Sequence, residues 1–163
     1  DQSLSMPMTN ACIRQARSAD LDDLVNLLLL LFSIEKDFNF DADHQRRGLQ
    51  MILDHKNAVL LVAETEGRVI GMCSGQLTIS TAEGGHALLV EDMVVATPWQ
   101  GQGWGKKLIR GLEHWAGSRK IARLQLLADR NNEGALEFYN SLDWQRTELI
   151  CLRKRLTASS SER

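Results

Sequence analysis

The sequence predicts an α/β fold of the α+β type: one mixed sheet with helices on both faces. Three observations carry that prediction. Apolar positions switch between helical and strand-like periods along the chain, in the order βααβββαβαβ. Glu66-Gly67 joins two apolar runs as a hairpin, and Gly84-Gly85 turns the chain into a further strand. No repeat, linker or shift in composition divides the 163 residues. They are read as a single domain, 1–163, with 1–10 and 157–163 as frayed tails; a domain of this size buries roughly 70% of the surface its extended chain exposes.

The elements follow in order. CIRQAR, residues 12–17, forms a short first strand, and Ser18 caps a helix whose apolar face is Leu21, Leu24, Val25, Leu28 and Phe32. DADHQRRGLQMIL is a second helix capped by Asp41 or Asp43. AVLLVAET and RVIGMCSGQLTIS are the hairpin strands, and HALLVEDMVV follows as a strand. Leu108, Ile109, Leu112, Trp115 and Ala116 then recur at helical spacing. RLQLLA is a short buried strand, NNEGALEFYNSL a capped helix, and WQRTELICLRKRL a terminal hairpin or strand pair.

Composition narrows the function. A net charge of −2 and a pI near 6.1 provide no global basic field, so neither nucleic acid nor an acidic membrane surface is an expected partner. The longest apolar run, residues 27–32, is far shorter than the roughly 20 residues of a membrane span, and DQSLSMPMTN lacks the basic and apolar start of a signal peptide. Cys12, Cys73 and Cys151 are far apart, odd in number and without zinc spacing. They read as buried small hydrophobes in a reducing cytoplasm, and no metal is expected. His44, His55, His86 and His114 are scattered and read as surface or helper residues.

One stretch breaks the pattern. TPWQGQGWGKKL, residues 97–108, sets Gly101, Gly103 and Gly105 at the start of a helix, where glycine costs roughly 1 kcal/mol relative to alanine. The nucleotide P-loop GxxxxGK[ST] fails here on spacing and hydroxyl, and the dinucleotide fingerprint GxGxxG fails because its third glycine falls on Lys106. What remains is Gln-x-x-Gly-x-Gly, carried by Gln100, Gly103 and Gly105 between a strand and a helix. The first N–H groups of a helix lack intrahelical partners and sit at its positive end, so this loop is built to take a phosphate, with Lys106 and Lys107 adding charge.

VEDMVVATPWQGQGWGKKLI resembles the acetyl-coenzyme A signature of the GNAT superfamily of N-acetyltransferases, and NEGALEFYNSLDW, residues 132–144, resembles that family's late helix. Gln100 stands where arginine is commoner, and Asp143 where relatives usually carry glycine. The element order matches over residues 12–156. The resemblance implies the GNAT fold, with a mostly antiparallel central sheet, and direct acetyl transfer from acetyl-CoA to a primary amine in a ternary complex. A homodimer is the default assembly. The alternative in a different class is a catalytically silent coenzyme A-binding or regulatory module of the same fold.

The resemblance also implies roles by position. The pyrophosphate lies against Gln100, Gly101, Gln102, Gly103, Trp104, Gly105 and Lys106. The backbone of Met93, Val94 and Val95 pairs with the pantetheine arm. Asn132 caps the late helix and contacts the coenzyme, with Asn131 the competing cap. Trp104 and Trp99 stack on adenine or, the favoured reading, pack inward.

Tyr139 is the general acid in the family, or a core residue beside Ala135, Phe138 and Leu142. A simple alkylamine has a pKa near ~10.4, so a base helps; Glu91, in the strand that resembles the family's central splayed strand, is the candidate, acting directly or through a water, or else it is a solvent-facing edge carboxylate. Asp92, on the opposite face of a regular strand, is its competitor. The segment SIEKDFNFDADHQ holds Glu35, Asp37, Asp41 and Asp43 against Lys36, which favours a cationic acceptor. The plainer reading makes one aspartate a helix cap and tucks Phe38 and Phe40 inward.

Overall fold

The computed structural model describes residues 11–35 and 38–156. Both expected tails, and Lys36 and Asp37, lie outside the described residues. The chain divides into two compact units, residues 1–126 and 127–163.

The first unit carries one sheet in the order β1-β2-β3-β4-β5: β1 (Cys12–Gln15), β2 (Ala58–Thr65), β3 (Arg68–Ser80), β4 (Gly85–Val95) and β5 (Arg123–Leu126). The first three pairs are antiparallel and β4–β5 is parallel. Thr65 pairs with Arg68, so Glu66 and Gly67 form a two-residue turn, with φ of 54° and 72°. Positive φ at both central positions matches the twist of the flanking strands. The parallel β5 needs a crossover, which α3 (Trp104–Ser118) supplies.

Alternation along the strands sorts the core into two layers. Leu60, Val62, Met72 and Val94 cluster with Leu24, Val25, Leu28 and Leu31 of α1 (Leu21–Ile34) and Leu49 of α2 (Ala42–Asp54). The intervening residues face α3: the Cys73 thiol donates to the Leu108 carbonyl at 3.7 Å, and Gly111 of α3 lies over Leu61 and Ile13. Helices therefore cover both faces of the sheet, as predicted.

Some local expectations shift. Residues 18–20 form a 3-10 turn ahead of α1, and its polar anchor is Asp20 rather than Ser18. Asp20 is buried; it accepts from the Arg17 N–H at 2.7 Å and takes Arg14 in a two-pronged ion pair at 2.8 and 2.9 Å. Asp41, not Asp43, caps α2, accepting from the Asp43 and His44 N–H groups, and the Asp41 N–H donates in turn to Gln45 Oε1. Cys73 is buried as read, but Cys12 and Cys151 are exposed.

The second unit is organised by α4 (Glu133–Ser141). Asn132 is its cap, accepting from the Ala135 N–H at 3.1 Å. At the other end Asp143 takes φ 68° and stands in for glycine, while the Trp144 N–H reaches the Tyr139 carbonyl at 3.0 Å. That pattern is the Schellman stop, and aspartate tolerates its left-handed position better than most residues.

The expected terminal hairpin does not form among the described residues: 144–156 hold no strand, with Leu149 and Leu152 both exposed. WQRTELICLRKRL has no Asn-Gly or similar turn pair, and an isolated two-stranded ribbon is marginal in water.

Candidate functional site

The glycine loop leaves β4 through a short 3-10 turn, residues 97–99, and ends where α3 begins. Gly101 and Gly103 adopt φ of 76° and 88°, and Gly103 is the N-cap of α3. A Cβ at either position meets no heavy atom within 4 Å, so the backbone faces open space there. The Gln100 side chain donates to the Val95 carbonyl at 2.9 Å and the Gln102 side chain to the Pro98 carbonyl at 3.3 Å. Both amides thus brace the loop. Trp104 is buried and packs inward, with the Lys107 ammonium 4.5 Å from its ring centroid. Lys106, Lys107 and Gly103 line one end of a groove of about 850 Å³ between α3 and β1–β2. An exposed helix start with two left-handed glycines and two lysines fits an anionic group such as a pyrophosphate.

Ahead of the loop, β4 is irregular. Ser74 pairs with Glu91 and Met72 with Val94, so Asp92 and Met93 stand against the single Cys73 in a β-bulge. Asp92 takes φ 54°. Left-handed aspartate costs roughly 1 kcal/mol, and such strain collects at functional sites. The bulge also breaks the alternation that was to put Glu91 and Asp92 on opposite faces. Glu91 stands opposite Ser74, whose face is that of Met72 and Gln76, and Asp92 lines a pocket on that same side.

This pocket, about 360 Å³, lies between α1, α2 and the sheet, with Leu28, Phe32, Leu49 and Ile52 in its walls. Asp92 is half-buried in it, and Glu91 is exposed. Burial, reinforced by the negative charges of Glu91 and then Glu35, pushes the Asp92 carboxyl up to about 6. Glu35 is thus the member of the predicted acidic segment that is felt at the pocket. Asp41 is occupied as a cap, Asp43 is exposed, and Asp37 lies outside the described residues. Phe38 and Phe40 are not tucked away; each remains more than a third exposed.

In the second unit Tyr139 lies on α4, its ring 5.1 Å from Phe138 and 5.6 Å from Trp144 between centroids. Asn132 has its side-chain oxygen engaged by the cap, which leaves its NH₂ group for other partners. Among the described residues no group of three or more His, Cys, Asp or Glu is arranged to hold a metal ion, and no helix is long and apolar enough to cross a membrane.

The resemblance points to Glu91, and regular alternation would let only one of Glu91 and Asp92 reach the cleft; the bulge removes that restriction. A residue that tolerates positive φ within an otherwise apolar β run was the available signal, and it is a weak one.

The architecture has close counterparts among known proteins. A possible acetyltransferase from Clostridium difficile 630 superposes with a TM-score of 0.81 at 19% identity, over 91% of this chain and 99% of that one. The aminoglycoside N-acetyltransferase AAC(6')-Iy, solved in complex with CoA, superposes with a TM-score of 0.80 at 17% identity, over 93% and 99%. These likenesses establish the fold.

In sequence, an acetyltransferase of Yersinia pestis (strain Pestoides F) is 28% identical over 104 residues, which is 64% of this chain and 70% of that protein. N-alpha-acetyltransferase 80 of Mus musculus is 43% identical over 65 residues, 40% of this chain and only 19% of the mouse protein. The family model described as Acetyltransferase (GNAT) family matches residues 21–144, which include the β4 bulge, the glycine loop and the whole of α4. The chain belongs to the GNAT acetyltransferase family.

Proposed function

We propose that this protein transfers the acetyl group of acetyl-CoA to a primary amine by direct attack in a ternary complex, and that Asp92 is its general base. The observation that carries the reading is the bulge at Asp92. It turns a carboxylate into a pocket on one side of β4, immediately before a strand end that runs into an anion-binding glycine loop. The family match reaches from the first unit to residue 144 of the second, which supports the reading of residues 1–163 as one acetyltransferase domain.

The residues divide the work as follows. N–H groups of the loop from Gly101 to Lys106 hold the pyrophosphate, while Gln100 and Gln102 keep the loop in shape. The backbone of Met93, Val94 and Val95 lies along the pantetheine arm in the manner of an added strand, with the Val95 carbonyl already accepting from Gln100. Asp92 accepts a proton from the incoming ammonium or from the attacking amine. With a pKa of about 6 it is largely ionised at neutral pH yet more basic than an ordinary aspartate. Glu91 and Glu35 raise that basicity through their charge. The amine nitrogen bonds to the acetyl carbon, the carbon–sulfur bond breaks, and the thiolate is protonated. Family resemblance assigns that last proton to Tyr139 and a coenzyme contact to Asn132.

Cysteine has no part in this scheme. Cys73 is buried with its thiol pushed well up by desolvation, the reverse of an activated nucleophile.

The test is release of free coenzyme A thiol from acetyl-CoA across a panel of primary amines, for wild type and Asp92→Asn. Amine-dependent release that falls at least a hundredfold in Asp92→Asn is expected. Coenzyme binding without release for any amine favours the silent module.

A further inference from the structure

We infer that the pocket between α1, α2 and β4 admits an amine borne on an apolar body the size of one ring or a short alkyl chain, and that Gly48 is the residue that leaves room for that body. The inference rests on the acetyltransferase reading and adds the class of acceptor to it.

Gly48 is the seventh of the thirteen residues of α2. Glycine inside a helix costs about 1 kcal/mol relative to alanine. Packing does not require it: a Cβ at residue 48 meets no heavy atom within 4 Å. The contrast with Gly111 of α3 is direct, because a Cβ there comes within 3.0 Å of Leu61 and 3.1 Å of Ile13. Gly111 is small because the sheet is close. Gly48 is exposed and small beside open space.

That space is the pocket. His44, Met51 and His55 line it from one side of the helix, and Gln45, Leu49 and Ile52 from the other. At 3.6 residues per turn, residue 48 projects between these two groups, in the middle of the pocket-facing arc. A larger residue there narrows the open side of the pocket.

The remaining walls say what enters. Leu28, Phe32, Leu49 and Ile52 are apolar, and the one carboxylate among the lining residues is Asp92. Its field is reinforced by Glu91 and Glu35, which suits an ammonium head at that wall. About 360 Å³ is roughly a dozen waters' worth of volume, at ~30 Å³ per water. His44, Gln45, His55 and Gln76 offer polar partners, three of them from exposed positions, whereas Leu28, Phe32, Leu49 and Ile52 offer none. An aryl or alkyl body gains by covering those four apolar side chains, and hydroxyls set against them go unmatched.

The experiment measures kcat/KM for 2-phenylethylamine, methylamine and ethanolamine in wild type, Gly48→Ala and Gly48→Leu, alongside each protein's melting temperature. Wild type is expected to prefer 2-phenylethylamine over ethanolamine at least tenfold. In Gly48→Leu the 2-phenylethylamine to methylamine ratio is expected to fall at least tenfold, chiefly through KM, with Gly48→Ala intermediate. Melting temperatures equal to or above wild type establish that the variants fold, since both replacements favour helix.

A folded Gly48→Leu with an unchanged ratio, or a wild type that prefers ethanolamine, overturns the inference and leaves the acetyltransferase reading standing. Absence of turnover with every amine overturns that reading instead. Calorimetric binding of 2-phenylethylamine against ethanolamine, wild type against Gly48→Leu, then decides the pocket's preference independently.

Discussion

The Ser74 hydroxyl donates to the carbonyl oxygen of Glu91 at 3.1 Å, across the β3–β4 pair and one residue before the chain enters the bulge at Asp92. Ser74 is fully buried, so its hydroxyl depends on this partner. The bond fixes the last regular pair of the strand, and the left-handed turn at Asp92 starts from that fixed point. Ser74→Ala removes the donor and little volume. A stability loss of about 1 kcal/mol is expected in urea unfolding, together with a fall in kcat several times larger than any change in coenzyme affinity. Stability loss with unchanged kcat would reduce Ser74 to an ordinary core hydroxyl.

Asp92 predicts the acid limb of the rate profile. It acts ionised, so kcat/KM falls as pH drops through about 6, its raised value. Asp92→Asn should show low activity with no limb there. A wild-type profile that stays flat from pH 5 to 8 removes Asp92 as the base.

The same group makes an opposite claim on stability. Its folded pKa lies above the value near ~3.9 of an unfolded aspartate, so the folded state holds the proton more tightly. Stability is therefore lost as pH rises from about 4 to about 6, and the penalty is complete above that. Asp92→Asn should be roughly 1–2 kcal/mol more stable than wild type at pH 7.5 and nearly equal to it at pH 4. Equal unfolding midpoints at both pH values would contradict the cost of burying this carboxylate.

Asp20 runs the other way. The Arg14 guanidinium first, and then the Arg17 N–H, hold its carboxyl below the usual range against the opposing effect of burial. Its contribution is present above the unfolded aspartate value and is lost as pH falls through the lower folded value. Asp20→Asn should cost about 2–3 kcal/mol at pH 7, with Arg14 keeping Glu64 at 2.7 Å, and the deficit should shrink below pH 4. Thermal melts of the pair at pH 7 and pH 3 check both statements.

Gly103 tests the loop. With φ 88° and open space beyond its Cα, an alanine there meets no clash but occupies a conformation costing roughly 1–2 kcal/mol. Gly103→Ala should remain folded with reduced stability and bind coenzyme A at least tenfold more weakly by calorimetric titration. Unchanged affinity in the folded variant would move the pyrophosphate elsewhere.

Tyr139→Phe separates chemistry from packing. The ring keeps the volume that meets Phe138 and Trp144, and only the hydroxyl is lost. Turnover should fall at least tenfold with coenzyme affinity unchanged. If turnover holds where chemistry is rate-limiting, Tyr139 is a packing residue.

By itself the sequence determined the element order from β1 to α4, the Glu66-Gly67 turn and the glycine loop at the head of α3, and it narrowed the cap of α4 to Asn131 or Asn132. Each is written in a few neighbouring residues: a period, a cap or a turn preference acts over one or two turns of chain and needs no distant partner. Tertiary structure decided the rest. Whether Glu91 or Asp92 lines the pocket depends on an extra residue opposite Cys73, and a bulge is a property of two paired strands rather than of either one. The basicity of Asp92 depends first on burial beneath α1 and α2, then on its neighbour Glu91 and on Glu35, 57 positions away in number; of these only Glu91 is local. Segment 144–156 has strand-like composition yet forms no strand, because β structure needs hydrogen bonds from a partner strand that its own residues do not supply.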